Sequence, residues 1–156
     1  MSAEVGKTFV AKAIYGLITV QALLVAMSEH PPSPLGGAMT LLGATLAIAL
    51  IDTYAEVIAE ALAQEHMVSR IEVREILRSV RPVLLGSQAP TLVFILSALG
   101  LWSVETAIQI AQILVLLLLF GYGVQVGRLM HTRWIRQVLS GIILVMIALL
   151  IVSIKI

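Results

Sequence analysis

The sequence predicts an all-α integral membrane protein, a single bundle of five transmembrane helices over residues 1–156 with its N-terminus cytoplasmic and its C-terminus outside. Three observations lead there. Hydrophobic residues make up 60% of the 156 positions and mean hydropathy is +1.04, whereas an ordinary soluble domain is about 45–50% apolar. The excess is gathered into runs long enough to cross a ~30 Å hydrocarbon core at about 20 residues each. The basic residues fall on alternate connections between those runs.

The first span covers about residues 9–27 and the second about 37–62. The connection 28–36 between them holds Pro31, Pro32 and Pro34, which no helix interior would carry. The third span covers about 82–102 and the fourth about 106–126, joined by a tight hairpin near 103–105. A link that short forces antiparallel neighbours. The fifth span covers about 135–154. The first run also has the outline of a secretory leader, with Ala26, Met27 and Ser28 resembling a small-residue cleavage site. The expectation is that it is retained as the first span.

Lysine and arginine set the orientation. Lys7 and Lys12 precede or begin the first span, Arg70, Arg74, Arg78 and Arg81 follow the second, and Arg128, Arg133 and Arg136 follow the fourth. Only Lys155, of ten basic residues, falls on the other side. By the positive-inside rule the crowded side is the cytoplasm, as in a plasma or bacterial inner membrane. Segment 64–80 places Arg70, Arg74 and Arg78 on one stripe and Met67, Ile71, Ile76 or Leu77, and Val80 on another. That pattern reads as an amphipathic helix at the cytoplasmic surface, touching anionic head groups. Glu65, His66, Glu72 and Glu75 offer it a second role as a metal-capture arm, but Glu72 and Glu75 have arginine neighbours with which to pair.

Composition excludes several functions. Without cysteine there is neither a disulfide nor a thiolate metal site. The arginines are confined to two short loops, so no nucleic-acid partner is expected. His30, His66 and His131 belong to separate connections, and no constellation suggests an enzyme.

The informative residues are Asp52, Glu56 and Glu60, inside the run LLGATLAIALIDTYAEVIAEALA. Steps of four residues advance about 40° each around a helix, so the three carboxylates form one stripe, with Thr45 on the same face. A charged group deep in a bilayer costs at least ~2.5 kcal/mol and usually marks an ion or proton path, or a paired base. Asp52 lies about 15 residues, roughly 22 Å, into the second span, below the midplane. Glu56 falls near the inner interface and Glu60 near head groups or water. Carboxylates about 6 Å apart repel by roughly 2.8 kcal/mol at an effective dielectric of about 20. At neutral pH, then, some of these acids hold protons or a cation sits among them. Metal displacing proton, and proton displacing metal, is a physical basis for proton-coupled divalent cation transport. Oxygen ligands without sulfur favour hard or borderline ions such as Mn²⁺, Mg²⁺ or Fe²⁺. The competing structural role is an intramembrane ion pair: Lys12, about one turn into the first span, is placed to reach Glu56 or Glu60, and Arg81 or Arg128 can snorkel to Glu60.

Other polar residues in the spans are fewer. Tyr15, Gly16, Thr19 and Gln21 lie in the first, and Gly86, Ser87, Gln88 and Pro90 interrupt the third. Tyr15 and Gln88 are the candidates for lining a path. Gln109, Gln112 and Gln125 in the fourth are expected to bond between helices. Gly121 and Gly123, with Ser140 and Gly141, are expected to let the last two spans approach closely.

These motifs resemble the vacuolar iron transporter family of five-span, dimeric Fe²⁺/Mn²⁺ exporters with a cytoplasmic N-terminus. That family's second span carries an Asp, a Met four residues on and a Glu four further; LIDTYAEVIAEAL has Asp52, Glu56 and Glu60 there. Its first span carries Asp-Gly followed by Ile/Val-Val-Thr; KAIYGLIT has Tyr15-Gly16, then Leu17, Ile18 and Thr19. The end, GYGVQVGRLMHTRWIRQVLSGIILVMIALLIV, is similar to the family's Gly, Arg-rich loop and Gly-containing last span. The resemblance implies Asp52, Glu56 and Glu60 as the metal site, a transported rather than permanently bound Fe²⁺ or Mn²⁺, and a homodimer in the bilayer. Two departures matter: Tyr15 replaces the family's first-span carboxylate, and Glu56 replaces the thioether. The family's long cytoplasmic metal-binding insertion is also reduced to the short segment 64–80. The alternative expectation is a non-transporting subunit or scaffold of a larger membrane complex, its acids paired with bases.

Overall fold

A computed structural model describes residues 2–64, 81–129 and 134–153, and these residues are organised as five α-helices and their connections. In chain order they are α1 (Ser2–Met27), α2 (Pro34–Gln64), α3 (Arg81–Ala98), α4 (Val104–Leu129) and α5 (Trp134–Ser153). Three of them hold stretches long and apolar enough to cross a membrane: Phe9–Met27, Pro34–Ala59 and Val104–Arg128. In α3 and α5 the apolar stretches are shorter, Leu84–Ala98 and Gln137–Leu150. Of the segment 64–80 expected to be amphipathic, residues 65–80 fall outside the described residues, with the candidates Glu65, His66, Glu72 and Glu75.

Local chemistry explains the helix ends. Ser33 caps α2: its hydroxyl accepts from the Gly36 amide at 3.1 Å and its carbonyl from the Gly37 amide at 2.8 Å. Pro34 follows as the first helical residue, where its missing N–H costs nothing. Ser103 caps α4 in the same way, accepting from the Thr106 amide at 3.3 Å.

Two expectations are corrected in α3. The third span was expected to run to residue 102 and turn at 103–105. Instead α3 ends at Ala98, the connection is 99–103, and Glu105 sits in the first turn of α4. Gly100 adopts φ 84°. Its amide bonds Ser97 O at 2.9 Å and that of Leu101 bonds Leu96 O at 3.4 Å. This is the Schellman pattern, which closes a helix wherever a glycine takes the left-handed conformation. Hydropathy overlooks it because Leu99, Leu101 and Trp102 keep the segment apolar. The second correction is that Gly86, Ser87, Gln88 and Pro90 do not interrupt the helix, which is continuous through them. Ser87 and Thr91 donate their hydroxyls to Leu84 O and Ser87 O. Gly86 faces α1: a Cβ there would meet the Leu17 side chain at 3.4 Å.

Helix α1 is central, packing along α3 and α4, while α2 lies against α3 and touches α1 only sparsely. Helix α5 packs on α4. Leu17, Leu24, Leu41, Phe94, Val115 and Leu119 fill the centre. Gly37 makes room for the buried Phe94 ring, which lies against the α2 backbone where a Cβ would be. At the α4–α5 seam a Cβ on Gly123 would fall 2.5 Å from the Gly141 Cα, and one on Gly127 2.5 Å from the Gln137 Cα. The Ser140 hydroxyl crosses this seam to Gly123 O. Gly123 and Gly141 thus permit close approach as expected, whereas Gly121 has open space beside it and plays no such part. Outside, Leu42, Leu46, Leu50, Ile113, Leu117 and Leu150 are among many exposed large apolar side chains. Such a surface is compatible with a membrane protein.

Candidate ion site

The site grows out of the inward face of α2. Ala38, Leu41, Thr45 and Ala49 are all buried, at steps of three and four residues. Continuing that rhythm gives Asp52 and Glu56, both half-buried. The face that packs against neighbours in the first half of α2 therefore becomes acidic in its second half. Thr45 spends its hydroxyl on Leu41 O at 2.7 Å, inside its own helix.

The Lys12 ammonium, projecting from α1, forms an ion pair with Glu56 Oε1. Their side chains are 14% and 37% exposed, so Lys12 is the more enclosed partner. The pair bridges two helices that otherwise touch little. Of the two acids that Lys12 was placed to reach, Glu56 is joined to it, and the side chain of Glu60 lies outside the described residues. Asp52, one turn away on α2, makes no hydrogen bond or ion pair with any described residue. Chemically this is a neutralised carboxylate beside one whose acceptor positions are open. An ionised carboxylate only accepts hydrogen bonds, so the open position suits a proton, a water or a cation.

The remaining candidates are dispersed. The backbone of Glu60 continues α2, and its side chain lies outside the described residues. Tyr15 is 52% exposed on α1 and Gln88 is exposed on α3. Gln109 and Gln125 are also exposed and Gln112 is half-buried; none of these three glutamines bonds to another helix among the described residues, contrary to expectation. The reason is placement: their side of α4 alternates with the buried positions Ala107, Ile108, Ala111 and Val115. Among the described residues no three His, Asp or Glu side chains converge as a metal-holding group.

One residue gains weight that the sequence did not give it. Gln21 is 1% exposed and its Oε1 has no hydrogen-bond partner among the described residues. It follows Leu17 by one turn on the apolar face of α1. The only sequence signal was an amide within an otherwise apolar stripe.

Comparison with family models, curated proteins and solved structures finds no match to this chain.

Proposed function

We propose that this chain is a five-span integral membrane protein, N-terminus cytoplasmic and C-terminus outside, that carries a divalent cation such as Fe²⁺ or Mn²⁺ in exchange for protons. Asp52 and Glu56 bind the ion, and Glu60 captures or releases it at the cytoplasmic mouth. The observation that carries this reading is Asp52: a half-buried carboxylate on the inward face of an apolar helix, with no partner among the described residues. Leaving such a group charged and unpaired in a membrane is costly, and a proton or cation relieves the cost. The exposure of Tyr15 and Gln88 on one copy fits a path completed between two copies, as in the dimeric vacuolar iron transporters that the motifs resemble. Kinship with that family is part of the proposal.

The test is flux in liposomes. Mn²⁺ and Fe²⁺ movement is followed with and without a pH gradient, comparing wild type with Asp52→Asn. Flux that follows the gradient and vanishes in the variant is the expected result. Absence of flux of either ion in correctly oriented wild type removes the transport reading.

A second reading is a non-transporting subunit or scaffold of a larger membrane complex. The Lys12–Glu56 pair favours it, because one of the three acids is satisfied within the chain. Co-purification of a stoichiometric membrane partner, with no flux in the reconstituted protein, is what that reading requires.

A further inference from the structure

We propose that Lys12 is a tethered cation occupying the ion site: its ammonium holds Glu56 at rest and must leave that carboxylate before Asp52 and Glu56 can bind a divalent ion together. The inference rests on the transport reading of the acidic stripe and adds what controls occupancy of that stripe.

Four observations converge on it. The ammonium and Glu56 come from different helices, α1 and α2, so the pair is not a byproduct of neighbouring positions on one helix. Those helices touch sparsely, so the pair is a main link between them among the described residues. Asp52, a turn along the same face, has no hydrogen-bond or ion-pair partner among the described residues. Lys12 is also the base placed deepest within a predicted span, about one turn into the first. Coulomb repulsion supplies the logic. A +1 and a +2 charge about 6 Å apart, at an effective dielectric of about 20, oppose each other by orders of magnitude in occupancy. Lys12 and a divalent ion therefore exclude one another at Glu56. Lysine suits such exchange: a compact charge on a flexible four-carbon stem leaves more readily than a bidentate guanidinium, and the stem can snorkel toward water. The consequence is a threshold on valence. A single positive charge is accommodated at Asp52 with Lys12 in place, while a divalent ion needs both carboxylates and must displace it.

The experiment titrates purified full-length protein with Mn²⁺ alone and reads free Mn²⁺ by electron paramagnetic resonance. Lys12→Met is expected to bind Mn²⁺ at least about tenfold more tightly than wild type. Lys12→Arg, which keeps the charge, is expected to bind no more tightly, and adding Asp52→Asn to Lys12→Met is expected to abolish the gain. Equal or weaker binding by a Lys12→Met protein that elutes like wild type overturns the proposal, as does absence of binding in both. Should neutral variants at this position not fold, wild type provides the reading: saturating Mn²⁺ is expected to raise acylation of Lys12 several-fold relative to Lys7 and Lys155, measured by mass spectrometry. Unchanged labelling overturns it. The two ideas fail separately. Wild-type flux with unaltered Lys12→Met binding sinks the Lys12 role and leaves transport standing. Tight Lys12→Met binding without wild-type flux sinks transport and leaves Lys12 as the group that closes the site.

Discussion

Asp52 and Glu56 belong to one face of one helix, yet their surroundings make them different groups. Glu56 has a cation of its own in Lys12, and Asp52 has none among the described residues. Replacing Glu56 by Gln leaves the more enclosed Lys12 ammonium without its counter-charge. The partial exposure of the pair keeps the penalty near the upper end of the surface range, about 1 kcal/mol. A lowered melting temperature of Glu56→Gln in detergent checks this, and an unchanged one refutes it. A second residue-scale contrast concerns space rather than charge. Gly37→Ala drives a methyl group into the buried Phe94 ring, while Gly43→Ala meets nothing within 4 Å. The first is expected to lose about 1–3 kcal/mol and the second to be neutral or slightly stabilising, as thermal unfolding would report. The acidic stripe itself was legible from spacing alone. Which acid was paired was not, because pairing depends on where another helix passes.

Helix ends and seams show where local reading succeeds and where it stops. The Ser33-Pro34 start of α2 follows ordinary capping rules and needs no tertiary information. The end of α3 defeated hydropathy because its stop signal is a single glycine inside an apolar stretch. Gly100→Ala forces an alanine into the left-handed region and is expected to cost about 1–2 kcal/mol, seen as a lower unfolding midpoint. The α4–α5 seam yields a sharper comparison. Gly123→Leu pushes a side chain into the backbone at Gly141 and should separate the two helices, whereas Gly121→Leu, two residues away, faces open space. Proteolysis of the folded protein is expected to cut α5 free in the first variant and spare it in the second; equal resistance would contradict the seam. Both glycines look alike in sequence, and only the direction of approach separates them.

At the scale of the molecule, the arrangement of charges is the guide. The absence of cysteine makes single-cysteine labelling clean. A membrane-impermeant maleimide is expected to reach His30→Cys from outside intact cells and Arg70→Cys only after permeabilisation. Labelling of both from one side would overturn the five-span topology and the path drawn through it. The short apolar lengths of α3 and α5, 15 and 14 residues from Leu84–Ala98 and Gln137–Leu150, call for the same labelling at cysteines beyond their own ends, because positions 30 and 70 flank only α2. Each is flanked on its N-terminal side by arginines (Arg81 for α3, Arg133 and Arg136 for α5), whose long side chains can reach head groups from within a span.

By itself the sequence determined that the chain is helical and strongly apolar, and that Asp52 and Glu56 share a helix face. Those properties depend on composition and on the fixed 3.6-residue turn, both local. The tertiary structure alone decided that α1 lies at the centre, that Lys12 reaches Glu56, that Asp52 has no partner among the described residues, that Tyr15 and Gln88 face outward, and that Gly123 rather than Gly121 carries the last seam. Each depends on which face of one helix meets which face of another. Helix packing settles that through side-chain shape across dozens of residues, beyond the reach of any single motif.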